Sequence, residues 1–223
     1  MLGRDGAAAQ MQKWYERLAP LVASARARLQ EIELAALLRR SGCTLDPDGA
    51  LRLSLFSRPY RIIRPEWRVQ SAAEARSGEE PTEFTQALLL TYLVTADGTP
   101  PSGRWISYRD LPGGMFYARA FHGYAEDRLV RELEETGAGL GRIQAFCQSA
   151  ERLGGSQIEI GEHAYAFAVL PRVHLAAAYW PGDEDFPDQT SILFEDTASH
   201  YLSTDGLAVL GSHLVHALLD ALD

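Results

Sequence analysis

The apolar positions change rhythm along the chain, and each rhythm predicts an element. Leu21, Ala25, Leu29, Ile32, Leu34 and Leu37 recur near helical spacing. They predict a helix over Met11–Arg40, broken or kinked at Pro20 and stopped by Ser41-Gly42. Leu45-Asp46-Pro47-Asp48-Gly49 is turn chemistry, and after it Leu51, Leu53 and Leu55 alternate with Arg52 and Ser54. With a turn at Ser57-Arg58-Pro59 and a second run at Tyr60–Ile63, this reads as a hairpin. From Pro81, Phe84, Ala87, Leu88 and Thr91 form one stripe, and Leu89, Leu90, Tyr92 and Leu93 fill the other side. A helix apolar nearly all round is buried, so this one is predicted as the central helix, ended by Asp97-Gly98.

Helical character returns over Met115–Glu135, interrupted near Gly123, and over Leu140–Leu153, where Ile143, Phe146, Cys147 and Ala150 share a face. Gly137–Gly141 and Gly154-Gly155 are the stops. A last helix, capped by Ser203, Thr204 or Asp205, carries the stripe Leu207, Leu210, Leu214, Leu218 and Leu222. The densest strand signal lies between Ala164 and Tyr201. The runs Ala164–Leu170, Val173–Tyr179 and Thr190–Phe194 are joined by Leu-Pro-Arg and by the acidic loop Pro181–Asp188, which predicts an antiparallel meander. The expected architecture is one α+β domain over residues 1–223 with a loose end at 1–10. Its antiparallel sheet combines the N-terminal hairpin with the C-terminal meander, covered by helices that include the one from Pro81.

Composition narrows the partners. A net charge of -9 disfavours nucleic acid, whose phosphates are neutralised mainly by Lys and Arg, and disfavours an anionic membrane surface. No apolar run approaches the ~20 residues that span a bilayer, and Met1–Gln30 lacks the pattern of a secretory signal; a soluble, cytoplasmic chain is expected. Two cysteines, Cys43 and Cys147, about a hundred residues apart, support neither a disulfide framework nor a cysteine-held cluster. Both are expected to be free thiols with small effects on function.

Candidate chemistry concentrates in two places. Arg104-Trp105-Ile-Ser-Tyr-Arg109, followed by Asp-Leu-Pro-Gly113-Gly114, puts two guanidinium groups beside a flexible turn whose amides can form an anion-binding concavity. Alternatively, Arg109 pairs with Asp110 or a helix end and Trp105 plugs the core. Ser199-His200-Tyr201, between the last strand and the last helix, offers a ligand or acid–base group, or else satisfies loop and helix-end donors. These two stretches and Trp180 are expected to face one cleft that takes a small anionic group. The carboxylates of Pro181–Asp188 match no EF-hand spacing and read as a solvated loop. His213, His216 and Asp220 share a helix face but lack the further ligands of a metal site, so no metal is assigned. No Gly-x-Ser-x-Gly elbow and no phosphate loop occurs.

Three stretches, TADGTPPSGRWISYRDLPGG at Thr95–Gly114, LPRVHLAAAYWPGDEDFP at Leu170–Pro187 and ILFEDTASHYLSTDGLAVLGSHLV at Ile192–Val215, together resemble the bacterial and archaeal domain-of-unknown-function family 3786. The likeness runs from about Leu51 to residue 222. Some members carry an added four-cysteine iron–sulfur segment similar to those of corrinoid iron–sulfur proteins. Two cysteines cannot supply such a segment, so no iron–sulfur cluster is expected here. The resemblance implies a binding or accessory module that handles a corrinoid or other tetrapyrrole, or docks on a protein that carries one. The alternative from the residues themselves is an enzyme with acid–base chemistry at His200 and nearby carboxylates.

Overall fold

A computed structural model describes residues 18–73, 77–136 and 141–222. The expectations for residues 1–17 and for Gly137–Leu140 fall outside these. Mixed helix and antiparallel sheet is observed, as predicted, but the strands form two sheets.

Helix α1 (Leu18–Leu29) runs on past Pro20, and the break falls at Gln30–Glu33, before α2 (Leu34–Ser41). Gly42, at φ +69°, stops α2 with its N–H on the Leu38 carbonyl. The first sheet then forms from neighbours in the chain, in the order β1 (Thr44–Leu45), β2 (Leu51–Leu55), β3 (Arg58–Ile63) and β4 (Arg68–Ser71). Leu51, Leu53 and Leu55 point inward, and Arg52 faces Arg61 across the outer face. Asp46 accepts from Nε of both arginines, at 2.9 and 2.8 Å, and so offsets a like-charge pair.

The expectation of one sheet is therefore corrected. β1 and β4 flank the β2–β3 hairpin, and the meander strands pair only with one another and with β5 and β6, so among the described residues the two groups lie in separate sheets. The hairpin reaches the second sheet through its tip. Phe56 and Ser57 adopt φ +48° and +61°, the left-handed pair of a two-residue hairpin turn. The Phe56 N–H donates to the Val169 carbonyl at 3.0 Å. The strand register shifts between Ala168 and Leu170, a bulge at which Val169 has no ladder partner.

The second sheet has the order β5 (Trp105–Ser107), β9 (Gln189–Glu195), β8 (Val173–Trp180), β7 (His163–Leu170) and β6 (Ser156–Gln157). Its three long strands are the predicted meander. Past Ser107, β9 has no strand beside it on that side among the described residues. The π-helical turn His122–Glu126 covers the gap: Glu126 Oε1 accepts from the Ile192 N–H at 3.0 Å and the Glu126 carbonyl from Thr190 Oγ1 at 2.8 Å. This turn is the predicted interruption near Gly123; it separates α4 (Ala118–Phe121) from α5 (Asp127–Thr136).

Helix α3 (Glu83–Thr95), capped by Thr82, is buried at Phe84, Ala87, Leu88, Leu89, Leu90, Tyr92 and Leu93. It packs along α1 and is tied to α2 by the Tyr92 hydroxyl, which donates to the Ser41 carbonyl. Helix α6 (Arg142–Arg152) lies on β7, and α7 (Thr204–Asp220) buries Leu207, Leu210, Leu214 and Leu218 under the Ser203 cap. Residues of both sheets and of the helices join one apolar cluster.

Candidate functional site

Glu195 ends β9 fully buried, at 2% exposure. A carboxylate there needs donors, and it has four. Thr197 supplies its N–H at 3.1 Å and its hydroxyl, Gly103 its N–H at 2.9 Å, and Ser102 its N–H. Burial pushes this carboxyl up, but the hydrogen bonds from Thr197 and from the Gly103 and Ser102 amides win and hold it below the usual glutamate value. Asp196 takes the Ser102 hydroxyl on Oδ1, and Nε and Nη2 of Arg104 both lie 2.8 Å from its Oδ2.

His200 and Asp97 complete this cluster. Their Nδ1 and Oδ2 atoms lie 2.6 Å apart, and the Thr99 hydroxyl is 3.3 Å from the same ring nitrogen. Desolvation acts to raise the Asp97 carboxyl, but the hydrogen bonds from His200 and from the Thr99 N–H, at 2.8 Å, outweigh it and bring the carboxyl down to about 2. Tyr201 is wholly buried; its hydroxyl donates to the Thr99 carbonyl and its ring lies 5.8 Å from that of Tyr92. Arg104 and Tyr201 are thus occupied in holding the 97–104 segment against the 195–201 segment.

Trp105, half-buried, pairs with Glu195, whereas Trp180 pairs with Gln189 at the other end of β9. Six residues of strand separate the two positions, about 20 Å at the usual rise. Trp180 borders a different depression, with Pro181, Phe186 and Pro187. The structure therefore does not bring Trp180 to the other expected residues.

Beyond β5 the chain makes two short 3-10 turns, Tyr108–Asp110 and Gly114–Phe116. Gly113 sits at φ +74°, and a side chain at Gly114 would place Cβ 2.0 Å from the Tyr108 carbonyl oxygen. Gly114 N–H on the Leu111 carbonyl, at 2.8 Å, and Thr204 Oγ1 on the Pro112 carbonyl, at 2.7 Å, fix the loop. The double glycine thus serves a close backbone approach, and the loop it shapes is held rather than flexible. Pro112, Gly113, Phe116 and Tyr117 face Ser199, Leu202 and Asp205 across a depression of about 490 Å³. Gly113 and Ser199 border it; His200 and Arg109 do not. Arg109 is exposed and has no hydrogen-bond or ion-pair partner among the described residues, so it pairs with neither Asp110 nor a helix end there.

Sequence reasoning missed the neighbours of this loop. The sequence places Met115, Phe116 and Tyr117 in a helix, yet they are 64%, 83% and 46% exposed in succession. The signal was present as three large apolar residues directly after Gly-Gly, where the preceding turn leaves no buried face for them.

The chain matches the model of the family described as "Domain of unknown function (DUF3786)" over residues 33–217. It belongs to that family. No curated protein and no solved structure matches it. The DUF3786 segment begins ahead of the hairpin, at the N-cap of α2, and takes in both sheets and most of α7. Every expected site residue lies within it. So do the acidic loop and the α7 histidines, and no group of three metal-ligating side chains occurs among the described residues. In the acidic loop, Asp188 is half-buried. It accepts from the Tyr179 hydroxyl and the Gly182 N–H and pairs with Arg142 at 2.7 Å. Asp183 accepts the Asp185 and Phe186 amides at 2.9 Å, a local turn rather than a cation site. His213 stacks on Phe84 with ring centroids 4.8 Å apart. Loss of water on that face, with His216 and Arg58 nearby, lowers its pKa. No helix among the described residues is long and apolar enough to cross a membrane.

Proposed function

We propose that the chain is a non-catalytic cytoplasmic accessory module that docks on another protein through the Leu111–Tyr117 loop and the depression beside it. One observation carries this reading: Met115, Phe116 and Tyr117 stand exposed one after another on a backbone that is hydrogen-bonded in place. Rigid, exposed aromatic and Met side chains are the groups that anchor interfaces, because covering them gains apolar burial at little cost in ordering. Arg109 and Arg119, exposed and unpaired among the described residues, flank these side chains in sequence. They suit a partner that offers carboxylates around an apolar groove.

The family resemblance brings in a corrinoid or tetrapyrrole, and the depression is a poor holder for one. Its walls contain no imidazole and no thiolate, the commonest axial ligands. Docking on a protein that carries such a group is the better supported form. The test is a photo-crosslinking residue placed at Phe116 in cells, with a second at Leu45 as an exposed apolar control. One discrete crosslinked protein at 116, absent at 45 and lost on Tyr117→Asp, supports docking; equal labelling at both positions defeats it. A change in the visible spectrum on adding hydroxocobalamin or haem, abolished by His200→Ala, would instead assign cofactor binding to this chain.

The second reading, acid–base chemistry, rests on the 2.6 Å His200–Asp97 pair, which resembles a base held by its orienting carboxylate. The two side chains are each 46% exposed, and neither lines the depression.

A further inference from the structure

The two cysteines, equivalent by sequence, occupy opposite environments. Cys43 is 7% exposed, and burial pushes its thiol up to about 11. Cys147 is half-buried on α6, with its Sγ 3.9 Å from Nδ1 of His163 on β7, near the outer limit of a thiol–imidazole hydrogen bond. The other ring nitrogen of His163 lies 3.9 Å from the exposed carboxylate of Glu162. Tyr165, on the same strand, donates its hydroxyl to Glu151 Oε1 at 3.2 Å. Cys147 and Glu151 stand at i and i+4 on the helix, and His163 and Tyr165 at i and i+2 on the strand. These spacings put each pair on one face, and α6 packs on β7. The result is a half-buried thiol with an imidazole base beside it and a carboxylate 3.9 Å from the far nitrogen of that base.

We propose that Cys147 is a modification site: a thiol that His163 deprotonates and that hydrogen peroxide or another small hydroperoxide oxidises to the sulfenic acid. His163 Nδ1 takes the thiol proton. The thiolate attacks one peroxide oxygen, so the S–O bond forms as the O–O bond breaks. The departing hydroxide, or the alkoxide when an organic hydroperoxide reacts, takes the proton from the imidazolium and leaves as water or the alcohol. Sulfur loses two electrons and the peroxide gains them. Attack requires the thiolate, and a neighbouring imidazole is one way an otherwise weak nucleophile is activated. Sulfenic acid is also the first, reversible step of thiol oxidation. The site lies three strands from β5 in the sheet order, so it is independent of the docking loop.

The experiment treats the full chain with hydrogen peroxide, traps sulfenic acid with dimedone and reads each cysteine by peptide mass spectrometry. Cys147 is expected to be trapped at least tenfold faster than Cys43, and faster in the folded chain than in urea. His163→Gln should remove most of that advantage while circular dichroism stays unchanged. The proposal is overturned if Cys147 reacts no faster folded than unfolded, a comparison that needs no variant. Wild-type reactivity in a folded His163→Gln chain would also overturn it.

Discussion

The segments Asp97–Arg104 and Leu111–Tyr117 lie on either side of the three-residue strand β5, and both meet the connection from β9 to α7. They are built in opposite ways. In the first, the residues that look most like chemistry are engaged with one another: Glu195 with three backbone amides and a hydroxyl, Asp196 with Arg104, and Asp97 with His200. In the second, the backbone is satisfied and the large side chains Met115, Phe116 and Tyr117 are left in water. The difference separates polar groups used to close a fold from apolar groups left available to a partner. Polar richness in a loop is by itself a poor pointer to function, because each buried donor or acceptor must be satisfied whether or not a ligand exists.

The largest effect on folding is expected from Glu195→Ala. It strips the carboxylate from the Ser102, Gly103 and Thr197 donors, and about 3 kcal/mol should be lost in urea unfolding. The same carboxyl predicts a pH dependence. Its folded pKa lies below the ordinary 4.5, and that of Asp97 lies at about 2 rather than 3.8. Their stabilisation is therefore present above the ordinary values and lost as pH falls through the folded ones. Urea midpoints should drop between about pH 4.5 and pH 2, less steeply in Glu195→Ala. An unchanged midpoint in the variant would break the contrast by showing that the first segment is not held by this group.

Gly114→Ala comes next. The new methyl collides with the Tyr108 carbonyl, so the loop must shift, at about 2 kcal/mol. Crosslinking from Phe116 should fail in the same variant. His200→Ala should cost under about 1 kcal/mol, the scale of an exposed pair, and a larger loss would mean that the pair is structural. The smallest effect is expected from Phe116→Ala, within about 0.5 kcal/mol of wild type in thermal unfolding. Its weight should instead fall on docking, where a central anchor is worth about 2 kcal/mol, roughly 30-fold in affinity. Equal losses of stability and docking would place Phe116 in the fold rather than in an interface.

Periodicity along the chain was enough to identify the meander, the hairpin, the buried helix from Pro81, the interruption near Gly123 and the Ser203-capped last helix. Each depends on residues close in sequence. A one-sided stripe, a turn or a cap expresses its preference locally, and burial then reinforces it. The order of the blocks at Thr95–Gly114, Leu170–Pro187 and Ile192–Val215 was also enough to reach the family. Tertiary structure alone decided which strands pair. Thr44–Leu45 and Arg68–Ser71 are too short to signal strands, yet they flank the hairpin in a sheet separate from the meander. It also decided where each expected site residue went. Arg104 found Asp196, Tyr201 turned into the core, and Trp180 fell at the far end of β9 from Trp105. Local preference acts within a few residues, whereas pairing and burial depend on partners as far as 133 positions away, which no short window of the chain contains.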